Sequence, residues 1–217
     1  RFNTAMINSK YKLARYLKRF FTSPNYKKRF AIYYQVYRDP GSIRTYSNFS
    51  DYDQDESNIL ELGFKRLARK NPNQALKYWS RYQQTHEFSH RARASIVSEI
   101  IKALYVKRQI RAADSYFVDH LQLLNQTLEG SLTEWRIREA LRELDWPAVR
   151  LWLARLPEDN KQQTIWRYWT IRSMESDPAN SLDIRIESLT KTLAKERDFY
   201  GFLASEKIGQ DYSINHN

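Results

Sequence analysis

At 217 residues with 41% hydrophobic side chains, the chain is long enough to bury one or two helical cores. Five glycines and six prolines are too few for an all-β protein with many tight turns, whereas Leu, Ala, Lys, Arg, Glu and Gln, the residues helices prefer, are abundant. The net charge of +11 is uneven, because residues 1–50 hold eleven Lys/Arg against one acid, Asp39, while the rest of the chain is close to neutral.

So basic a segment suits an anionic partner: nucleic acid, membrane headgroups or an anionic wall polymer. The alternative is a solvated helix face that aids solubility. The absence of cysteine excludes disulfides, thiolate metal sites and a cysteine nucleophile. No apolar run approaches the ~20 residues of a membrane span, so no transmembrane segment is expected. No signal peptide opens the chain, which begins at Arg1 rather than Met and reads as an excised segment.

Apolar residues recur at helical spacing almost throughout. Leu13, Tyr16, Leu17 and Phe20 predict a first helix with a basic outer face. Asp39-Pro40-Gly41 predicts a turn, and the polar stretch from Ser47 to Ser57 a connection. Leu60, Phe64 and Leu67 then mark a helix, followed by Ala75, Leu76 and Trp79 in another. Ile96, Val97, Ile100, Ile101, Leu104 and Tyr105 form a broad stripe. Phe117, Leu121 and Leu124 continue the pattern, as do Ile137, Leu141 and Leu144, then Val149, Trp152, Leu153 and Leu156. Leu182, Ile186, Leu189 and Leu193 predict the last of these helices.

Asn71-Pro72, Asp145-Trp146-Pro147 and Asp177-Pro178 each place a capping side chain just before a proline, the chemistry of a helix start. These starts, with the Gln109–Ala113 stretch, recur at intervals of about 31 to 38 residues, the period of helical-hairpin repeats. The expected fold is therefore all-α, a right-handed superhelical array of helical hairpins resembling a tetratricopeptide α-solenoid. The expected division is a basic N-terminal helical segment over 1–50, the hairpin array over 51–195, and the start of a linker domain over 196–217.

His86-Glu87-Phe88-Ser89-His90 is a literal H-E-x-x-H, which on one helix sets two imidazoles a turn apart for zinc. Its context opposes that chemistry. Arg93 and Ile96 stand where a metzincin needs Gly and His, and Gln109 and Ile110 where a carboxylate ligand would lie. Ser89 reads instead as the N-cap of the helix that follows. Glu134, Glu139, Glu143 and Asp145 supply carboxylates for glycoside chemistry in principle. Interleaved with Arg136, Arg138 and Arg142, they are more simply the polar face of a helix. Ile165 and Trp169, four apart, read as packing. Tyr26, Lys27, Lys28, Arg29, Phe30, Tyr33, Tyr34 and Tyr37 form the strongest surface-binding candidate, because aromatic rings beside cations stack sugars or bases, although a packed amphipathic helix is the simpler account of the same residues. No nucleophile elbow, P-loop or dinucleotide-binding fingerprint occurs.

Three C-terminal stretches resemble a known family: Trp152-Leu153-Ala154-Arg155-Leu156-Pro157, Trp166-Arg167-Tyr168-Trp169, and Arg197-Asp198-Phe199-Tyr200-Gly201-Phe202-Leu203-Ala204 with Ile208-Gly209 after it. In order and spacing they are similar to the non-catalytic superhelical region of soluble lytic murein transglycosylases, over roughly residues 58–212. The resemblance implies a parent enzyme that cleaves the bond between N-acetylmuramic acid and N-acetylglucosamine, in the periplasm of a Gram-negative bacterium. In that family one Glu acts as acid and then base in an E-S-x-F motif followed by G-L-M-Q. Glu56-Ser57, Glu175-Ser176 and Glu187-Ser188 lack the remainder of the motif, so no catalytic residue is assigned. The implied partners are peptidoglycan and the enzyme's own C-terminal catalytic domain. No cofactor, metal or nucleic acid is expected. The candidate glycan or anion contacts are Lys10, Lys12, Arg15, Lys18, Arg19, Lys27, Lys28 and Arg29. A tetratricopeptide-type protein-interaction module is the first alternative, and a nucleic-acid-binding helical protein the next.

Overall fold

The computed structural model describes residues 2–7, 10–45, 47, 49, 54–177 and 184–212. Every regular element among them is helical. The chain divides into two compact units, residues 1–125 and 126–217.

In the first unit, α1 (Phe2–Ile7) pairs with α2 (Tyr11–Leu17), which runs into a 3-10 turn, Lys18–Phe20. The expected stripe of Leu13, Tyr16 and Phe20 is not the packed face. These side chains stay exposed, and α2 meets its neighbours through Ala14, which is fully buried with Ala5 and Met6 of α1. A small side chain lets two short helices approach closely, which bulky ones would prevent.

Helix α3 (Pro24–Arg38) opens on a proline at its first turn. The Asp39 side chain then accepts from the Gly41 N–H at 3.1 Å, starting a 3-10 helix over Pro40–Arg44. Both lie on α4 (Gln54–Lys70), the central helix of this unit. The polar residues 54–57, expected in a connection, are its first turn. Asp55 and Glu56 are favourable there because carboxylates offset the positive helix end. Gly63 permits the close approach, since a Cβ at that position would lie 2.7 Å from Val36 Cγ1 and 3.0 Å from Ile43 Cγ2. Helix α5 (Pro72–Thr85) starts where Asn71 Oδ1 accepts from the Gln74 N–H at 3.1 Å. Its Tyr82 hydroxyl donates to the Ile43 carbonyl at 2.7 Å, pinning the 3-10 segment. Helix α6 (His90–Val106) buries the whole predicted stripe from Ile96 to Tyr105, and α7 (Ile110–Asp119) packs against it through Ala113 and Phe117. Leu121 falls in a separate 3-10 turn rather than extending α7.

Helix α8 (Gln126–Arg142) begins the second unit and forms a hairpin with α9 (Trp146–Ala154), where Asp145 Oδ1 accepts from the Ala148 N–H at 3.1 Å. The sequence places Leu144 in the core, but it is 70% exposed with φ 54°. It occupies the left-handed position that ends α8, with the Asp145 N–H reaching back to the Ala140 carbonyl at 3.0 Å. Arg108 ends α6 in the same manner, at φ 59°. This is how a glycine-poor chain terminates long helices. Short α10 (Glu158–Lys161) leads to α11 (Thr164–Glu175), whose buried indole is Trp166; Ile165 and Trp169 are half-buried. Helices α12 (Ile184–Leu193) and α13 (Phe199–Lys207) pack on α11 through Leu193, Ala194 and Ala204 around Ile171. Leu182 and Pro178, assigned from the sequence to a helix and its start, lie outside the described residues.

Asp198 caps α13, accepting from the N–H groups of Tyr200 and Gly201 at 3.0 and 2.9 Å. Burial pushes its carboxyl up. Hydrogen bonds from Thr164, Gly201 and Tyr200, with the charge of Arg167, outweigh that and hold it below the ordinary value. Because its folded value is the lower one, its contribution is present above the ordinary carboxylate range and is lost as pH falls through the folded value. Thermal midpoints measured from pH 5 down to pH 2 should therefore drop more steeply for the native chain than for Asp198→Asn. Parallel curves would show that the charge contributes nothing.

Candidate functional site

The eight basic residues singled out in the sequence occupy one stretch of the first unit. Lys10 precedes α2, Lys12 and Arg15 lie on it, Lys18 and Arg19 on the 3-10 turn, and Lys27 and Lys28 on α3, all exposed. Arg29 differs from them. It is half-buried, its Nη2 donating to the Tyr33 hydroxyl at 2.9 Å, with the guanidinium 5.6 Å from the Tyr33 ring centroid.

Aromatic rings accompany these cations. Phe2, Phe21, Tyr26, Phe30 and Tyr33 line a cleft of about 260 Å³, with Arg29, Thr4 and the Asp55 carboxylate of α4 completing its wall. Phe2 lies 4.4 Å from Phe30 and 5.7 Å from Phe21, centroid to centroid, and Phe21 stacks at 24° on Tyr26. Lys18 Nζ stands 5.4 Å over Phe30. Tyr26, 61% exposed, offers an open ring face, while Phe30 and Tyr33 are buried and hold the wall. Sequence reasoning found Tyr26, Arg29, Phe30 and Tyr33 but missed Phe2 and Phe21. Phe21 reaches the cleft from extended backbone after the 3-10 turn, where helical periodicity carries no signal. Tyr37 belongs elsewhere, its ring lying 4.4 Å beneath the Arg66 guanidinium. Exposed Leu13, Tyr16 and Phe20 add apolar surface beside Lys12, Arg15 and Arg19. Aromatic ring faces beside exposed cations suit amphiphilic anions by stacking and by charge, on the surface around the cleft rather than against Asp55 within it.

The H-E-x-x-H segment does not form a metal site. It straddles the turn between α5 and α6, so its two histidines are not one helical turn apart on a common face. His86 is buried, with Nε2 2.8 Å from the Phe49 carbonyl and Nδ1 3.2 Å from Thr85 Oγ1, whereas His90 is exposed. Ser89 caps α6, accepting from the Ala92 N–H at 3.2 Å.

The carboxylates of α8 are structural. Glu134 Oε1 accepts from Asn160 Nδ2 at 2.9 Å and Trp166 Nε1 at 3.3 Å, and Oε2 accepts from Arg138 at 3.3 Å. It thus ties α8 to α10 and α11. Glu139 pairs with Arg142, and Asp145 caps α9. The helix face is not wholly solvated as expected, because Arg136 and Glu139 are buried.

No protein-family model matches the chain. It is 22% identical over 176 residues to the soluble lytic murein transglycosylase of Salmonella typhimurium, covering 81% of this chain and 26% of that protein. Its fold superposes over its whole length on 34% of the lytic transglycosylase of Pseudomonas aeruginosa, solved as an inactive mutant, with 28% identity and a TM-score of 0.74. It superposes likewise on 34% of the 70-kDa soluble lytic transglycosylase of Escherichia coli, with 19% identity and a TM-score of 0.80. The chain therefore spans between a quarter and a third of these relatives' length. No helix among the described residues is long and apolar enough to cross a membrane. By sequence and by structure together, the chain is homologous to a helical region of the soluble lytic murein transglycosylases.

Proposed function

We propose that this chain is the non-catalytic helical scaffold of a periplasmic enzyme that cleaves the MurNAc–GlcNAc bonds of peptidoglycan, and that its basic N-terminal stretch seats murein strands. The observation that carries this reading is the match of the whole chain to a third of the Pseudomonas aeruginosa lytic transglycosylase at 28% identity. Residues 1–50 supply the cationic face, 51–195 the hairpin array, and 196–217 the beginning of a linker toward a catalytic domain carried elsewhere. Murein stems are anionic, so Lys10, Lys12, Arg15, Lys18, Arg19, Lys27, Lys28 and Arg29 attract them electrostatically, and salt screens the attraction. Tyr26 and Phe21 supply ring faces for the sugars.

Co-sedimentation with isolated sacculi across a salt series tests this. The native chain should pellet and persist at about 0.15 M salt, where exposed charges are screened beyond ~8 Å. Reversing Lys12, Arg15, Arg19, Lys27 and Lys28 to Glu should weaken pelleting at least about tenfold, since each exposed contact is worth up to ~1 kcal/mol in water. Unchanged pelleting of the reversed variant would remove the charge argument. Retention on double-stranded DNA stronger than on sacculi would favour the nucleic-acid alternative instead.

A further inference from the structure

A second cleft, of about 370 Å³, lies between α9, α11 and α12 in the second unit, apart from the N-terminal basic face. Its floor is aliphatic, with Leu153 and Ile171 buried and Leu189 on α12 closing one side. Among the described residues, three cations, Arg150, Lys161 and Arg167, line it, and no carboxylate does. Each cation is held from outside the lining. Arg150 Nη1 donates to the Ser173 carbonyl at 3.1 Å and to Ser176 Oγ at 3.2 Å, and its Nη2 stands 3.9 Å from Asp177. Lys161 lies 2.6 Å from Glu158, and Arg167 2.5 Å from Glu196. Glu158 and Glu196 are 79% and 43% exposed. Exposed pairs of this kind are weak, so they orient the cations yet exchange readily for another anion.

We propose that this cleft binds a small aliphatic carboxylate. The apolar floor gains by covering an alkyl group, and the cationic rim gains by receiving one negative charge. The volume sits at the small end of ligand pockets, suiting a molecule of roughly eight to twelve heavy atoms. Two sources share this chemistry: a free fatty acid, and an aliphatic amino acid at a peptide's C-terminus. Neither an aliphatic alcohol nor an aliphatic amine satisfies both halves of the site.

Amide chemical-shift titrations of the native chain with octanoate, N-acetyl-leucine, octanol and octylamine test the assignment. Shifts are expected for the two carboxylates alone, along α9, α11 and α12, with a dissociation constant of about 1 mM. Tighter octanoate points to a free fatty acid, and tighter N-acetyl-leucine to a peptide terminus. Arg167→Gln should weaken carboxylate binding at least about fivefold, as loss of one charge-assisted contact does. Ala154→Trp fills the cleft from an exposed position and should abolish binding. Leu189→Glu, at a side chain 43% exposed, should do the same by repulsion if the tryptophan variant misfolds. Octanol binding as tightly as octanoate, or no shift up to about 10 mM of either carboxylate, overturns the proposal.

Discussion

Trp79→Ala should destabilise the first unit by about 3–5 kcal/mol, the cost of removing a large aromatic ring from a packed core. Trp79 is 1% exposed on α5, and its ring meets Phe64 of α4 edge-on at 5.2 Å and Phe88 at 5.0 Å. Phe64 in turn meets Tyr82 edge-on at 5.2 Å, so the indole anchors a four-ring cluster on which α4, α5 and the approach to α6 depend. The substitution to phenylalanine separates two contributions. The indole Nε1 is buried with no hydrogen-bond partner among the described residues, a burden of about 1–3 kcal/mol already present in the native chain. Trp79→Phe removes that burden while losing part of the packing, so its net cost should stay below about 1.5 kcal/mol. Urea unfolding followed by circular dichroism suits the test, because Trp79 is the only tryptophan of residues 1–125 and its loss leaves fluorescence reporting only on the five tryptophans of residues 126–217. A lower midpoint at unchanged slope is the signature sought. Equal losses for both variants would mean that the indole N–H is satisfied.

Gly201→Ala is the second large effect, expected to cost the second unit about 3 kcal/mol, the upper end of overpacking. A Cβ there would clash with the carbonyl oxygen of Glu196, a backbone atom that cannot rotate away. The glycine lets α13 fold back on the end of α12, where Ser205 Oγ donates to the Ala194 carbonyl at 3.0 Å and Ala204 packs against Ile171 and Leu193. Gly209→Ala provides the control. Gly209 has φ +64° with nothing within 4 Å of an added Cβ, so only left-handed strain of about 1 kcal/mol is expected. Equal effects at the two glycines, or less than about 0.5 kcal/mol at Gly201, would show that the turn yields. The Phe199–Ala204 stretch that carries the family resemblance is therefore a packing motif, built from a cap at Asp198, a backbone approach at Gly201 and a buried small side chain at Ala204.

The amino-acid sequence by itself determined the all-α class, most helix positions and the helix starts at Asn71, Ser89 and Asp145. These depend on local chemistry: apolar spacing near 3.6 residues, and a side-chain oxygen within reach of the next turn's N–H groups. It also located the basic stretch, since charge along a chain needs no fold to be counted. What it could not determine was which apolar residues face inward at helix ends. Leu144 fits the stripe of α8 but ends it in a left-handed turn, and Leu13, Tyr16 and Phe20 fit a stripe on α2 that α1 contacts through Ala14 instead. Both outcomes depend on where a neighbouring helix lies, which spacing within one helix does not encode. The same holds for the two clefts. Phe2, Phe21 and the Tyr26–Arg29 face of α3 come from three separate segments, and Arg150, Lys161 and Arg167 from three helices or their ends. Only packing brings such residues together, because a binding surface is set by distances between elements while periodicity reports each element alone.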